Sequence, residues 1–405
     1  MKIGFLGNTN NYPFLIARAL RALGHDVLFF VDQRPSERLH RPECHSVGIS
    51  FPYPSWIRDV SGPLSTLKQL LPEVFSPRVV AELLGCDAVV VNGLAHGVVA
   101  PFPKWIPSYH LFSGSDLDVL ASEEAVCTAL QRHPRLSRAP RRLVARVSNA
   151  IVSRHRAGIR RAAGVAYFPR GLVPAGDQLL DGLIDDRVAR FAHWHVVTEG
   201  LAFAPAPNRA VMRLFNLTRF LWKEPLPPGY AIEENKRNDV LVRGIALFVA
   251  QTGRPLDVRF VEKGVDVAET KRLVQECGIA HLVTWLSEMS FAEVIEEYRT
   301  ADVVTEQFGQ HVFTGGLYPM LIGRPVIGNG RPEIIFGVTN QESPICQART
   351  PAEVASWLAK LDASIALRNA IGIASREYVL QHCDIRHEAS FVAETLEWAR
   401  LKART

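Results

Sequence analysis

Short apolar runs alternate with amphipathic stretches from the first residues of the chain. Lys2–Leu6 reads as a buried strand, Tyr12–Leu23 has helical spacing and stops at Gly24, and Asp26–Val31 is the next strand. "DAVVV" (87–91) and "GVAYFP" (164–169) repeat the strand pattern with apolar residues on both faces. Strands of that kind belong to a parallel sheet covered by helices on each side. The first half of the chain therefore predicts a doubly wound parallel-sheet domain.

Between 196 and 210 the pattern lapses. "TEGLAFAPAPNRA" has two prolines and no periodicity, which predicts an interdomain linker. Strands and helices then resume: "RLFNLTRF" (213–220), a helix over Asp239–Gln251, "LDVRFVEKG" (256–264), and a helix over Ala268–Cys277 capped by Gly278. "HLVTWL", a helix over Phe291–Arg299 and "ADVVTEQ" follow, and then "VFTGGLYPMLIGRPVIGN" (312–329). In that stretch Gly315 and Gly316 open a short apolar helix with Tyr318 in its first turn, and Gly323 closes it. The expected organisation is a domain over 1–195, the linker over 196–210, a second domain over 211–385, and a C-terminal helix over 386–405. Two such α/β domains place the carboxyl ends of their sheets across a cleft, where ligands bind in open sheets.

Composition narrows the class. The chain has 405 residues, 47% apolar and 21% charged, which suits two packed domains. Its six cysteines form no Cys-x-x-Cys pair, which argues against a disulfide framework or zinc site and fits a reducing cytosol. "MKIGFLGNTNN" turns polar too soon for a signal peptide, and no apolar run is long enough to span a bilayer. A cytoplasmic protein is expected, with a peripheral site on the inner face of the membrane as an option.

The net charge of +5 is unevenly placed. From Ala125 to Gly176 there is no acidic residue, while eleven arginines fall inside. For this 132–161 basic segment two readings stand: a helix with a solvated basic face, or a peripheral membrane contact. Nucleic acid is not expected, because no aromatic residues interleave with the arginines to stack bases.

Candidate chemistry gathers at strand ends. Gly315 and Gly316 precede a helix N-terminus, where missing Cβ atoms and free N–H groups favour an anion such as a diphosphate; a plain glycine turn is the other reading. Arg219, Lys223, Lys236 and Lys263 stand at or after strand ends of the second domain and could stabilise a departing diphosphate. The loop "GNTNN" (7–11) lacks the G-x-G-x-x-G spacing of a dinucleotide binder. Asn8, Asn10 and Asn11 suit either sugar hydroxyls or helix capping. Asp116-x-Asp118 reads as a helix start, and no cluster suggests a bound metal.

Taken together, these residues resemble the retaining nucleotide-sugar glycosyltransferases of the GT-B fold, family 4. "TRFLWK…NKRND" is similar to the family's Arg…Lys-Gly segment, with Arg219 and Lys236 at the diphosphate-binding positions, Lys223 as a competitor, and Arg237 where glycine is usual. "VEKGVD" and the run to "ADVV" are similar to its sheet and base-binding loop, and "GSDL" is a turn facing sugar and acceptor. "PMLIGRPVI" (319–327) fits the end of the family's paired-glutamate motif. That alignment puts Tyr318 at the second, ribose-holding glutamate and Gln310 at the first, with Glu306 able to serve in its place.

The resemblance implies two Rossmann-like domains facing across a cleft and a metal-free transfer, with retention, from a UDP- or GDP-sugar to a glycan or lipid-linked acceptor in polysaccharide or glycoconjugate synthesis. It implies no cofactor beyond that donor. Glu306, Arg219 and Lys236 would be catalytic. Gly7, Asn8, Lys223, Lys263, Trp285, Gly315, Gly316, Leu317 and Tyr318 would hold the donor, and Asn10, Asn11, His110 and Asp116 the acceptor. Tyr318 leaves two further readings open: a catalytically silent GT-B scaffold that binds a partner or glycan, and a sugar-nucleotide epimerase.

Overall fold

The computed structural model describes residues 1–45, 48–62, 71–132, 139–227, 232–309 and 311–403. The chain divides into two compact units, one made of Met1–His193 with Ile385–Thr405, the other of Trp194–Asp384.

The first unit is a parallel sheet of seven strands: β1 (Lys2–Leu6), β2 (Asp26–Val31), β3 (Ile57–Asp59), β4 (Ala88–Asn92), β5 (Ser108–Leu111), β6 (Ala162–Tyr167) and β7 (Ala189–Ala192). Their order is β3-β2-β1-β4-β5-β6-β7. β4 is buried along its whole length, as a central strand with helices on both faces must be. Helices α1 (Tyr12–Ala22), α2 (Pro77–Leu84) and α3 (Arg141–Ile159) belong to this unit, and Leu83 of α2 packs with Leu6, Val89 and Val91 of the sheet.

The C-terminal helix (Ile385–Lys402) also belongs here. Its Glu388 is fully buried, accepts a hydrogen bond from the Tyr12 hydroxyl and lies 3.4 Å from His193 Nδ1. The Phe391 ring lies tilted against that of Phe191, with 4.9 Å between centres, and Arg400 pairs with Asp87 at 2.6 Å.

The second unit repeats the plan with six parallel strands, β8 (Arg213–Asn216), β9 (Asp257–Val261), β10 (Val283–Leu286), β11 (Val303–Thr305), β12 (Val326–Gly328) and β13 (Cys346–Gln347). Their order, β10-β9-β8-β11-β12-β13, matches that of the first six strands of the other sheet. In each sheet the order reverses beside the first strand, between β1 and β4 and between β8 and β11. Those reversals are the topological switch points where open α/β sheets place their ligands.

The helices of this unit include α4 (Asn238–Thr252), α5 (Val267–Glu276), α6 (Phe291–Thr300), α7 (Thr314–Ile322), α8 (Pro351–Ala363) and α9 (Ile365–His382). Capping boxes start α6 at Ser290/Glu293 and α8 at Thr350/Glu353, each satisfying two otherwise unpaired amides. α7 is apolar nearly all round, and Leu317, Met320, Leu321 and Ile322 are buried. Tyr318 falls in its second turn, because the helix begins at Thr314, ahead of the glycines.

Strand ends differ from the sequence expectation in a consistent way. Residues 213–220 form a strand only to Asn216, whose Nδ2 donates to the Thr218 carbonyl at 3.2 Å and bends the chain out of the ladder. Arg219 thus lies beyond β8, as Lys263 lies beyond β9; the Phe220 amide then donates to the Lys263 carbonyl at 2.7 Å.

Residues 196–210, without repetitive structure beyond a bridge from Val196 to Asp384, run over the second unit and are fastened to it. The Ala204 amide donates to the Ile322 carbonyl at 2.9 Å, and the Ala206 amide to Asn369 Oδ1 at 2.8 Å. Buried Arg324 donates to the Ala204 carbonyl at 3.0 Å and to the Tyr298 and Arg299 carbonyls at 3.1 and 2.9 Å. The last two sit at the end of α6, where helix carbonyls lack intrahelical partners, so one guanidinium both caps α6 and holds the crossing segment. Arg324→Met strands these acceptors and is expected to cost about 2–4 kcal/mol of second-unit stability in urea titration, with secondary structure retained.

Candidate active site

At the switch point of the second unit, Glu306 follows the last residue of β11 and is 7% exposed. Its two oxygens are used separately. Oε1 accepts the Thr218 hydroxyl at 3.1 Å, and Oε2 accepts the Phe313 amide at 3.2 Å. One carboxylate therefore ties together the segments leaving β8 and β11 and the entry to α7. Burial raises its pKa above the ordinary carboxylate value, and the attraction of Lys236 and its hydrogen bonds reverse that only in part.

Lys236 faces the same place. Its Nζ donates to Gln307 Oε1 at 2.7 Å, and Gln307 Nε2 donates to the His311 carbonyl at 2.5 Å. Burial lowers the Lys236 pKa; Glu306 opposes this and the neighbouring Arg219 adds to it. Arg219 is 38% exposed and donates to Glu234 at 2.9 Å. The structure thus brings Arg219, Lys236 and Glu306 into one electrostatic group. Arg237, just after Lys236, has φ +52°, a left-handed conformation that glycine adopts at least cost.

The two glycines of α7 have different reasons. A Cβ at Gly316 would run into Val312, and its amide already donates to the Phe313 carbonyl at 2.9 Å, so packing accounts for it. A Cβ at Gly315 would meet nothing nearer than Glu306 Cγ at 3.6 Å. The fold does not require glycine at 315, and the space it leaves lies beside the Glu306 carboxylate.

The remaining donor-side candidates have structural partners. Lys223 pairs with Glu269 at 3.4 Å on the surface, and Lys263 is half-buried at the turn after β9. Trp285 packs 5.6 Å from Phe220 and 5.5 Å from Phe260, with Lys271 Nζ 5.0 Å from its ring centre. Leu317 is buried in the core. Tyr318 sets its ring edge-on to Phe291 at 5.1 Å, and Gln310 lies outside the described residues. Thr218 and Gln307 were not singled out in the sequence, although each is next to a residue that was.

The switch point of the first unit holds a cavity of about 350 Å³, lined by Gly7, Thr9, Asp32, Glu37, Asn92 and Asp116 among others, and among the described residues no lysine or arginine lines it. Gly7 has φ +91°, and a Cβ there would strike the Asn92 carbonyl. Asn8 and Asn11 turn inward instead. Asn8 accepts the Phe14 amide at 3.1 Å and donates to Asn11 at 3.0 Å and to the His40 carbonyl at 2.8 Å. Asn10 stays exposed, with its amide donating to His40 Nδ1 at 2.8 Å.

Asn92 and Asp116 organise this cavity. Asn92 donates to Asp116 Oδ2 at 3.1 Å and to the Leu111 carbonyl at 2.8 Å, and its Oδ1 accepts the Thr9 amide at 2.7 Å. Burial alone would raise the Asp116 carboxyl. Hydrogen bonds from His96 and from the Ser113 and Gly93 amides outweigh it and hold the carboxyl below its ordinary range. His110 is buried behind the cavity, 2.9 Å from His96 and 3.1 Å from the Ser108 hydroxyl, and burial drives its pKa well down. Asp32, Glu37 and Asn92 were missed in the sequence; only their positions just after β2 and at the end of β4 could have pointed to them.

No family model and no curated protein matches the chain. Among solved structures, a sucrose-phosphate synthase from Thermosynechococcus elongatus is similar with a TM-score of 0.64 at 14% identity, over 100% of both chains. HepE from Anabaena, in complex with UDP, has a TM-score of 0.60 at 16% identity, covering 98% of this chain and 100% of its own. A glycosyltransferase from Rickettsia africae ESF-5 has 0.58 at 11% identity, covering 98% of each. These likenesses establish the fold as GT-B, built from two Rossmann-like parallel-sheet units.

Glu306 also predicts a pH effect. A carboxyl raised by folding destabilises the native state as pH climbs from about 4.5 through the raised value, because the unfolded chain loses its proton first. Glu306→Gln should therefore melt at a higher temperature than the wild type at pH 8, with the gain shrinking towards pH 4.

Proposed function

We propose that the protein is a glycosyltransferase whose second unit binds a UDP- or GDP-sugar and whose first unit holds a glycan or lipid-linked acceptor. The observation that carries this reading is the grouping of Arg219, Lys236 and buried Glu306 with the open space at Gly315, all at the switch point of the second sheet. Charge on the two basic residues is placed to stabilise a departing diphosphate, and a preorganised group needs little rearrangement as that charge develops. Glu306 fixes the loops around the sugar-bearing phosphate and presents a carboxylate edge to the sugar. HepE, one of the similar structures, was solved with UDP, which supports a uridine nucleotide as the first donor to test.

On the acceptor side, Asp32, Glu37 and Asp116 lie in the lining of the cavity, and such an acidic lining favours a neutral, hydroxyl-rich acceptor group over a phosphorylated one. Retention of configuration, and a place in polysaccharide or glycoconjugate synthesis in the cytoplasm, follow from the family-4 resemblance and form part of the proposal. One observation favours a second reading, that of a silent scaffold. Tyr318 gives its ring to the Phe291 contact, where the resembled motif has a carboxylate for the ribose.

Calorimetry with UDP, GDP and their glucose conjugates tests the proposal. Arg219→Ala and Lys236→Ala should each weaken the nucleotide that binds by about tenfold to a hundredfold, the worth of a hydrogen bond to a charged group. Unchanged affinity for every nucleotide would overturn it. Gly315→Val should block binding while leaving the fold intact. Donor turnover that Glu306→Ala abolishes excludes the silent scaffold, and binding without turnover establishes it.

A further inference from the structure

Gln307 is buried just past β11, and both ends of its side-chain amide are in use. Its Oε1 accepts from the Lys236 ammonium at 2.7 Å, and its Nε2 donates to the His311 carbonyl. The amide cannot be reversed. An ammonium only donates and a carbonyl only accepts, so turning it over would set N–H against N–H and oxygen against oxygen. The backbone below it is fixed as well. The Asn329 amide donates to the Gln307 carbonyl at 2.9 Å, and a Cβ at Gly328 would press on that carbonyl at 3.1 Å.

Lys236 is anchored by its own backbone. Its amide donates to the Leu221 carbonyl at 2.7 Å, and its carbonyl accepts the Phe308 amide at 3.0 Å. What remains to be fixed is a flexible four-carbon stem. Among the described residues, Gln307 Oε1 is the hydrogen-bond acceptor that fixes it. One acceptor takes one of the three ammonium N–H groups and leaves two for a ligand.

That the acceptor is an amide matters electrostatically. Arg219 and Lys236 already face Glu234 and Glu306, and a further carboxylate at 307 would tip the group negative. A neutral acceptor orients the ammonium without cancelling its charge.

We propose that Gln307 is a positioning residue, which aims the Lys236 ammonium at the anionic part of a nucleotide and leaves its charge available. The inference rests on the donor-site reading of the second unit and adds a residue that acts through Lys236.

Calorimetry of the full chain with UDP and with GDP tests it, with melting curves taken alongside. Gln307→Met should weaken the nucleotide that binds by about tenfold, as expected for loss of one hydrogen bond to a charged group. In the Lys236→Ala background the same change should have no further effect, because the group it aims is gone. A residue that merely braced the loop would add its loss in either background.

Gln307→Glu gives a second readout that does not depend on the first variant folding. Protonated, its carboxyl can accept from Lys236 and donate to the His311 carbonyl, as the amide does. Ionised, it turns an oxygen against that carbonyl and cancels the ammonium. Its affinity relative to wild type should be lower by at least about tenfold at pH 8 and recover towards pH 5. Lys236, Arg219, Glu234 and Glu306 titrate in both proteins, and buried His311 stays neutral with its pKa lowered to about 3, so the ratio reports position 307. Wild-type affinity in Gln307→Met, equal losses in the two backgrounds, or a Gln307→Glu ratio that does not move with pH would overturn the proposal and leave the donor site standing. Absence of binding by either nucleotide, or affinity untouched by Lys236→Ala, would overturn the donor-site reading and the proposal with it.

Discussion

The Glu306 carboxylate is the interaction on which the second unit's switch point depends. A buried carboxylate is costly unless donors surround it, and here they come from two places remote in sequence, the Thr218 hydroxyl and the Phe313 amide. Because each oxygen serves a different partner, the exits of β8 and β11 and the start of α7 are held in one geometry. Lys236 and Gln307 extend the network to the His311 carbonyl. Such a network leaves the carboxylate partly reluctant to ionise, a perturbation of the kind that marks a candidate functional site.

The first unit solves the same problem with different residues. Asn92, at the end of β4, links the Thr9 amide to the Leu111 carbonyl, and Asp116 gathers the Gly93 and Ser113 amides. In both sheets, then, a polar side chain beside the order reversal binds the neighbouring loops together. The chemistry left on offer differs in sign: the second unit presents arginine and lysine, the first an acid-lined cavity.

Much of the fold was legible because parallel strands buried on both faces have to be apolar throughout. β4 is the clear case, and "DAVVV" placed it within a residue. Strand ends were less legible. The apolar letters of "RLFNLTRF" continue past Asn216, but the ladder stops where the Asn216 side chain captures a backbone carbonyl, an event that composition does not encode. At the candidate site, charges at strand ends could be read, as for Arg219 and Lys236, while their neutral partners could not. Thr218 and Gln307 join the site through contacts to Glu306 and Lys236, 88 and 71 residues away in the chain. Nor could the sequence separate Gly315 from Gly316: only the position of Val312 shows that one glycine is a packing necessity and the other is not.

The return of the C-terminal helix to the first unit bears on how the molecule is made. The second unit is one continuous segment, Trp194–Asp384, set within the chain of the first. During synthesis that segment can emerge and fold whole, while the first sheet still lacks the helix that covers Tyr109 and Phe191 and the carboxylate that meets Tyr12. The domain begun first on the ribosome is thus the one finished last, and the apolar face awaiting its helix is the surface a chaperone would have reason to hold.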